Sequence, residues 1–370
     1  MPSGISEQRR QTMRRLTEKI RDLAPAPVCL MEVCGTHTMA IGKAGIRQLL
    51  PPQVRLLSGP GCPVCVTPPE GIDRMLRLSE EKQVIIATYG DMIRVPGSRR
   101  GDTLSRRRAA GARVAVVYSV MDALQLAGEH PDDEIVFPGI GFETSAPGTA
   151  AAIQEAARRD LRNFTVLPMM KTTGPALRAL IRAPDFSVQG FLCPGHVAAI
   201  TGEEGFRFLA EEYAIPAVIS GFEPEDILAS VFLLLSQIRE GRARLENEYT
   251  RAVSKEGNAL ARTVMHDVLL PRDDSWRGLG LVKGSGLTIR EAYSRFNAEE
   301  RFRDLFTELP EPSAETGRCR CGQILQGHLS PGDCPLFGTV CTPEDPVGPC
   351  MVSGEGACAA AYRYESVHGM

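Results

Sequence analysis

Short apolar runs alternate with amphipathic stretches along most of the chain. Ile5, Met13, Leu16, Ile20 and Leu23 recur at largely three- to four-residue spacing and predict a helix over residues 6–23. From residue 28 the alternation becomes regular. The runs Val54–Leu57, Val84–Thr88, Arg113–Tyr118, Glu134–Phe137, Phe164–Pro168, Gly190–Cys193 and Ala217–Ser220 read as strands. Between and after them, Glu70–Glu81, Val120–Ala127, Thr149–Arg159, Pro175–Ile181, Glu203–Tyr213 and Glu225–Glu240 carry helical spacing. Strands alternating with helices predict an α/β architecture with mainly parallel sheets.

A weak repeat lies within this pattern. Residues 54–91 and 188–223 each run strand, Pro-Gly turn, helix, strand and acidic residue, which suggests two α/β halves of related topology. Any two βαβ units share that outline, so chance similarity is the alternative. After Gly241 the pattern changes: Arg242–His266 reads as polar helix, Pro271–Gly286 as loop, and Arg290–Phe306 as a last helix before a linker at Pro310-Glu311-Pro312. Beyond Thr316 the chain is punctuated by Gly, Pro and Cys, with few apolar residues, and such a segment needs metal or disulfides for order. The expected division is residues 1–50 (N-terminal helix and Cys34 loop), 51–135 and 136–240 (two α/β domains), and 241–370 (a helical, Cys-rich domain).

Composition narrows the function. At 370 residues the chain has room for two or three domains. A net charge of -3 provides no global basic field for nucleic acid or anionic lipid. The longest apolar run, Ile227–Ile238, is broken by Ser230, Ser236 and Gln237, short of the roughly 20 residues a membrane span needs. Arg9, Arg10, Arg14, Arg15 and Lys19 precede no apolar stretch of the secretory kind, so a cytoplasmic protein is expected. Cysteine usage stands out: of 11 Cys, Cys319, Cys321, Cys334, Cys341, Cys350 and Cys358 fall within residues 319–370. Where thiols stay reduced, such clusters bind metal or cycle between redox states.

Four thiolates can hold zinc or a [4Fe–4S] cube, and six leave two over. Zinc ribbons favour C-x₂-C knuckles, and residues 319–358 contain none. The uneven spread suits a cluster beside a dithiol, with zinc or purely structural cysteines as alternatives. A second candidate is Gly59-Pro60-Gly61-Cys62-Pro63-Val64-Cys65, a C-x-x-C at a strand end. Its thiols stand within disulfide range where helix-end amides can lower a thiol pKa. The third is Met31-Glu32-Val33-Cys34-Gly35-Thr36-His37-Thr38, in which Cys34 and His37 suit a reactive thiolate or a metal ligand. An i, i+3 pair is poorly shaped for hydrolytic attack, and a buried structural cysteine is the plainer reading. In Gly141-Phe142-Glu143-Thr144-Ser145-Ala146-Pro147, Thr144 or Ser145 is a natural helix cap and Pro147 suits the first turn. Its Gly-x-Gly is only a fragment of a dinucleotide fingerprint. Cys193-Pro194-Gly195-His196 places an imidazole at another turn.

Taken together, MEVCGTHT, GPGCPVC, GFETSAP, CPGHV and the C-terminal CRCG…CPLFG…CTP…GPCMVSGEGAC resemble the HypD-type [NiFe]-hydrogenase maturation factors, in order and over nearly the whole chain. The resemblance implies two similar parallel-sheet α/β domains plus a helical, Cys-rich iron–sulfur domain. It implies a scaffold for the Fe(CN)₂CO group, acting as a monomer within a complex with a small HypC-type chaperone and a HypE-type cyanide-donating protein. In that pattern Cys34 binds the iron with His37 nearby, and Cys62 and Cys65 form a dithiol. By similarity to ferredoxin:thioredoxin reductase, Cys319, Cys334, Cys341 and Cys358 ligate a [4Fe–4S] cluster while Cys321 and Cys350 form a neighbouring disulfide. Ser145 stands where the family usually has Thr, and Val282-Lys283-Gly284 departs from its usual Ile-Pro. The alternative function is a cluster-dependent thiol–disulfide reductase acting on a protein substrate.

Overall fold

A computed structural model describes residues 7–23, 26–310 and 316–365. Ile5 of the first predicted helix, and Glu311 and Pro312 of the predicted linker, lie outside the described residues. Eleven strands are described: β1 (Val28–Glu32), β2 (Val54–Ser58), β3 (Val84–Thr88), β4 (Val114–Val116), β5 (Glu134–Gly141), β6 (Phe164–Met170), β7 (Gly190–Pro194), β8 (Ala217–Ser220), β9 (Leu245–Asn247), β10 (Leu269–Trp276) and β11 (Gly280–Ile289). Every residue of β3, β6, β7 and β8 is buried, as expected of parallel strands covered on both faces.

The first nine strands form two parallel sheets, in the orders β2-β1-β7-β8-β9 and β4-β3-β5-β6. Numbered within its own sheet, each follows the order second, first, third, fourth, and the five-stranded sheet adds β9 at its edge. The architecture is therefore α/β, with two related parallel sheets and a Cys-rich segment of short helices.

Sheet membership divides the chain differently from the contiguous segments 51–135 and 136–240. After β1 and β2 the chain leaves for the other sheet, builds all four of its strands, and returns for β7 to β9. The proposed repeat unit 54–91 thus spans two sheets, whereas β7 and β8 pair directly through Phe191↔Ala217 and Cys193↔Ile219. Hydrophobic patterning names a strand but not its neighbour when several runs are equally apolar.

Side-chain alternation assigns each sheet face its cover. Leu30, Leu192 and Val218 point to one side of the five-stranded sheet and pack against Ile20 of the first helix (Glu7–Leu23) and Val231 and Leu234 of the helix Pro224–Arg239. Met31, Phe191, Cys193 and Ile219 point to the other side, into a core that also contains Cys62, Cys65, Cys321, Cys350 and Cys358. The C-terminal segment borrows this core: Ile324, Leu325, Leu336 and Met351 are buried in it.

Three predicted elements differ. The loop expected over Pro271–Gly286 is a hairpin of β10 and β11, which pair antiparallel with an irregularity between Arg272 and Asp274. It is secured by tertiary contacts that a local pattern does not show: Thr172 N–H donates to Ser285 O at 2.8 Å, and Lys171 Nζ meets Asp274 at 2.7 Å. Within Arg242–His266, β9 precedes a helix confined to Ala259–Val268. Arg290–Phe306 breaks into short turns because Asn297, in an extended conformation, caps a new one by accepting from Glu299 N–H. No helix among the described residues is long and apolar enough to cross a membrane.

Candidate functional site

In open parallel sheets, ligands bind beyond the carboxyl ends of the strands, where the strand order reverses. In the five-stranded sheet that point lies between β1 and β7, and in the four-stranded sheet between β3 and β5. Loops from both converge on one cavity of about 490 Å³. It is lined by Cys34 and Thr36 after β1, Gly61 and Pro63 after β2, Phe142 and Thr144 after β5, Pro194 and His196 after β7, and Glu355 from the C-terminal segment.

Cys34 stands at the N-terminus of the helix Gly35–Ala44. Its backbone N–H donates to Glu32 Oε2 at 2.9 Å, and Glu32 also accepts from the hydroxyl of Thr38. Glu32 is fully buried, and burial pushes its carboxyl up against the opposing bonds from Ser58, Thr38 and Cys34. Gly35 N–H donates to Gly61 O at 2.8 Å, joining the Cys34 turn to the C-x-x-C loop. Burial pushes the Cys34 thiol up to about 12, and the charges of Glu32 and Glu355 add to the effect. The free thiol is therefore protonated at neutral pH, and a metal must displace that proton to bind.

The two histidines occupy different places. His37 is fully buried; its Nε2–H donates to Gly221 O at 2.9 Å, its ring stacks on Phe222, and its Nδ1 has no partner among the described residues. Burial lowers its pKa to about 4, so the ring is neutral. It does not line the Cys34 cavity. His196 does; its ring also stacks on Phe222, with centroids 3.9 Å apart, and its pKa is lowered chiefly by burial.

Glu355, in Gly354-Glu355-Gly356 close before Cys358, is a site residue that no spacing in the sequence singles out. Its Oε1 accepts the Thr36 hydroxyl at 2.7 Å. Glu143 stands behind the cavity wall, accepting Thr173 N–H at 2.7 Å and its hydroxyl at 2.9 Å. Ser145 occupies the cap position of the helix Ala146–Arg158 but makes no capping bond; its hydroxyl donates back to Phe142 O, and Pro147 takes the first turn.

Cys62 and Cys65 form a disulfide, and Cys62 Sγ accepts Cys65 N–H at 3.2 Å. Their short helix, Pro63–Val66, packs against the helices Cys321–Leu325 and Pro349–Val352, which carry Cys321 and Cys350. Those two sulfurs lie 2.6 Å apart. Together with Cys319, Cys334, Cys341 and Cys358 they surround one small space closed by Leu336, Phe337 and Met351.

A single tetrahedral zinc draws four sulfurs to about 2.3 Å from one point. Among the described residues no three His, Cys, Asp or Glu side chains converge closely enough to hold one ion. Thiols gathered around one space are donors of the kind that zinc or an iron–sulfur cluster takes.

Comparison with known proteins finds matches over nearly the whole chain. The HypD family model, described as "Hydrogenase formation hypA family", matches residues 11–365. The chain is 43% identical over 362 residues to the Hydrogenase maturation factor HypD of Escherichia coli strain K12, covering 97% of this chain and 95% of that one. It is 44% identical over 351 residues to HypD of Rhodobacter capsulatus, covering 95% and 93%. To HypD of Cupriavidus necator it is 46% identical over 341 residues, covering 90% and 89%.

Proposed function

The chain belongs to the HypD family of hydrogenase maturation factors, and on that premise we propose that it holds iron through Cys34 while the Fe(CN)₂CO group of a [NiFe]-hydrogenase is assembled. A small HypC-type chaperone shares the iron, a HypE-type protein donates cyanide, and the work takes place in the cytoplasm. A low-spin Fe(II) carrying CO and cyanide is a soft centre, and thiolate is its matching ligand. One thiol from this chain leaves coordination positions for a partner's thiol and the diatomic ligands. The cyanide nitrogens need hydrogen-bond donors, and the cavity offers the Thr144 hydroxyl, the His196 imidazole and backbone amides. Glu355 and His196 are the cavity's own groups for receiving the proton that iron displaces from Cys34.

Cys319, Cys334, Cys341 and Cys358 would hold a [4Fe–4S] cluster, which supplies electrons one at a time when bound. The chain's own thiols carry the exchange. A thiolate of the Cys321/Cys350 pair attacks the Cys62–Cys65 disulfide; a mixed disulfide forms and one sulfur leaves as thiolate. The second thiolate of the pair then closes Cys321–Cys350, and two electrons have passed to Cys62 and Cys65. The observation that carries this reading is contiguity. The C-x-x-C loop touches the Cys34 turn through Gly61 on one side, and its helix packs on the Cys321 and Cys350 helices on the other.

The test is infrared spectroscopy of the chain purified anaerobically with its small chaperone, because metal-bound CO and cyanide absorb where protein does not. The expected result is such bands in the unsubstituted complex and their loss in Cys34→Ala with the cluster iron retained. A Cys34→Ala chain that still matures hydrogenase overturns the proposal.

A further inference from the structure

His37 lies in the first turn of the helix Gly35–Ala44 and His196 in the first turn of the helix Gly195–Thr201. Only His196 lines the Cys34 cavity, yet both rings rest on one side chain. The Phe222 ring has the His37 ring centred 4.6 Å away at 28° and the His196 ring centred 3.9 Å away at 21°. Two rings that close and that nearly parallel cannot share one face of a third without overlapping. Phe222 is therefore sandwiched between the two imidazoles. Tyr249 closes the stack edge-on, its ring centred 5.8 Å from Phe222 at 88°.

The turn that carries Phe222 is tied down through its main chain. Gly221 N–H donates to Glu248 Oε2 at 3.1 Å, and Gly221 O accepts from His37 Nε2–H at 2.9 Å. Tyr249 fits because two glycines make room for it. A β-carbon on Gly221 would stand 2.7 Å from its ring, and one on Gly195, beside His196, 2.6 Å. Tyr249 thus sets the turn after β7 against the turn after β8, and with it His196 against Phe222. The Arg251 guanidinium, paired with Asp226, backs Tyr249 from 4.4 Å. His196 itself is exposed, and no hydrogen bond to its ring is found among the described residues. An exposed ring without such a bond exchanges rotamers within nanoseconds. The stack on Phe222 is what holds this one in the cavity wall.

We infer that Phe222 is a positioning residue for the Cys34 site: it does not line the cavity, and it acts by holding the His196 imidazole there. His37 works through it, as the ring on its other face and as the donor that fixes Gly221 O. The histidine of the Cys34 motif thereby has a part in the site although it lies outside the cavity. What His196 does for bound iron rests on the reading proposed above; the stack stands without it.

The test uses the full chain with its six histidine rings isotopically labelled, read by nuclear magnetic resonance at mildly alkaline pH. His196→Gln identifies the His196 signal by its loss. Protons held over an aromatic face resonate upfield, so the His196 ring signal is expected upfield of an exposed histidine's. It is expected to move downfield in Phe222→Leu and to hold its place in Phe222→Tyr, which keeps the ring. A His196 signal at the position of an exposed histidine in the unsubstituted chain overturns the inference before any variant is made. The second readout is the rate of hydrogenase maturation in a double-mutant cycle. Phe222→Leu and His196→Gln are each expected to slow it about fivefold or more, and Phe222→Leu to add nothing in the His196→Gln chain. Phe222→Tyr is expected to rescue the rate. Losses that multiply, a His196→Gln chain that matures normally, or Tyr and Leu behaving alike overturn the positioning role. The ring signals are read with no iron at Cys34, so failure of the iron reading, seen in Cys34→Ala, is separate from failure here.

Discussion

A β-carbon on Gly61 would stand 2.0 Å from the backbone nitrogen of Cys34 and 2.4 Å from its Cα, so these two residues meet main chain to main chain. No rotamer change relieves such a clash. Gly61→Ala must push the C-x-x-C loop off the Cys34 turn and break the 2.8 Å bond from Gly35 N–H to Gly61 O. Overpacking of this kind costs about 1–3 kcal/mol. The expected outcome is a chain that folds with a lowered denaturation midpoint, keeps its cluster iron, and loses most hydrogenase maturation. Near-normal maturation by Gly61→Ala would show that the contact does not matter to the site.

His37 gives the fold a defined acid sensitivity. Its pKa falls from 6.5 to about 4 on folding because burial disfavours the charged ring. Above pH 6.5 both states are neutral there and stability is unaffected. Between about 6.5 and 4 the unfolded chain binds a proton that the folded chain refuses, so stability drops with falling pH, by about 3 kcal/mol in total. His37→Gln can still donate to Gly221 O and lacks the titration. Denaturant titrations at several pH values across this window are expected to show a shallower slope for the variant, and parallel slopes would assign the sensitivity to another group.

How much of this was legible beforehand depends on whether the determinant is local. The buried runs 84–88, 164–170, 190–194 and 217–220 announce themselves as strands because they lie covered on both faces. Their grouping is set by which equally apolar edges pair, which is why Val54–Ser58 and Val84–Thr88 read as one unit and fold into different sheets. The hairpin is not legible because Pro271, Asp273 and Asp274 look like loop; Lys171, distant in sequence, holds it through Asp274 and the Trp276 ring. Within the site, Cys34, Cys62, Cys65 and His196 stood out by residue type beside glycines. That His37 turns to Gly221 O while His196 faces the cavity follows from helix orientation, which spacing does not reveal.

Glu355 supplies a charge test of the cavity. Its carboxylate is one of the charges that hold the Cys34 thiol proton on, after burial. Glu355→Gln keeps an oxygen for the Thr36 hydroxyl and removes the charge. The Cys34 thiol pKa should fall, so alkylation by a small haloacetamide at mildly alkaline pH is expected to run about two- to fivefold faster, in line with a partly screened charge nearby. An unchanged rate, with Cys34 still reachable by the reagent, would place Glu355 outside the thiol's field.

The six C-terminal cysteines divide by prediction into ligands and exchange partners, and metal content tells them apart. Cys334 and Cys350 line the same space, and both are buried, so serine at either is a change of similar size in a similar setting. If Cys334 is a ligand, Cys334→Ser should lose most of the iron and acid-labile sulfide. If Cys350 only exchanges with Cys321, 2.6 Å away, Cys350→Ser should keep about four irons per chain. Both chains should retain the two sheets, because Ile324, Leu325 and Met351 are anchored in a core that the sheet residues Phe191 and Ile219 also build. Anaerobic purification with iron and sulfide assays, beside far-ultraviolet circular dichroism, decides it. Equal iron loss in both variants would mean that the ligand set has been divided wrongly, and zinc in place of iron and sulfide would remove the cluster altogether.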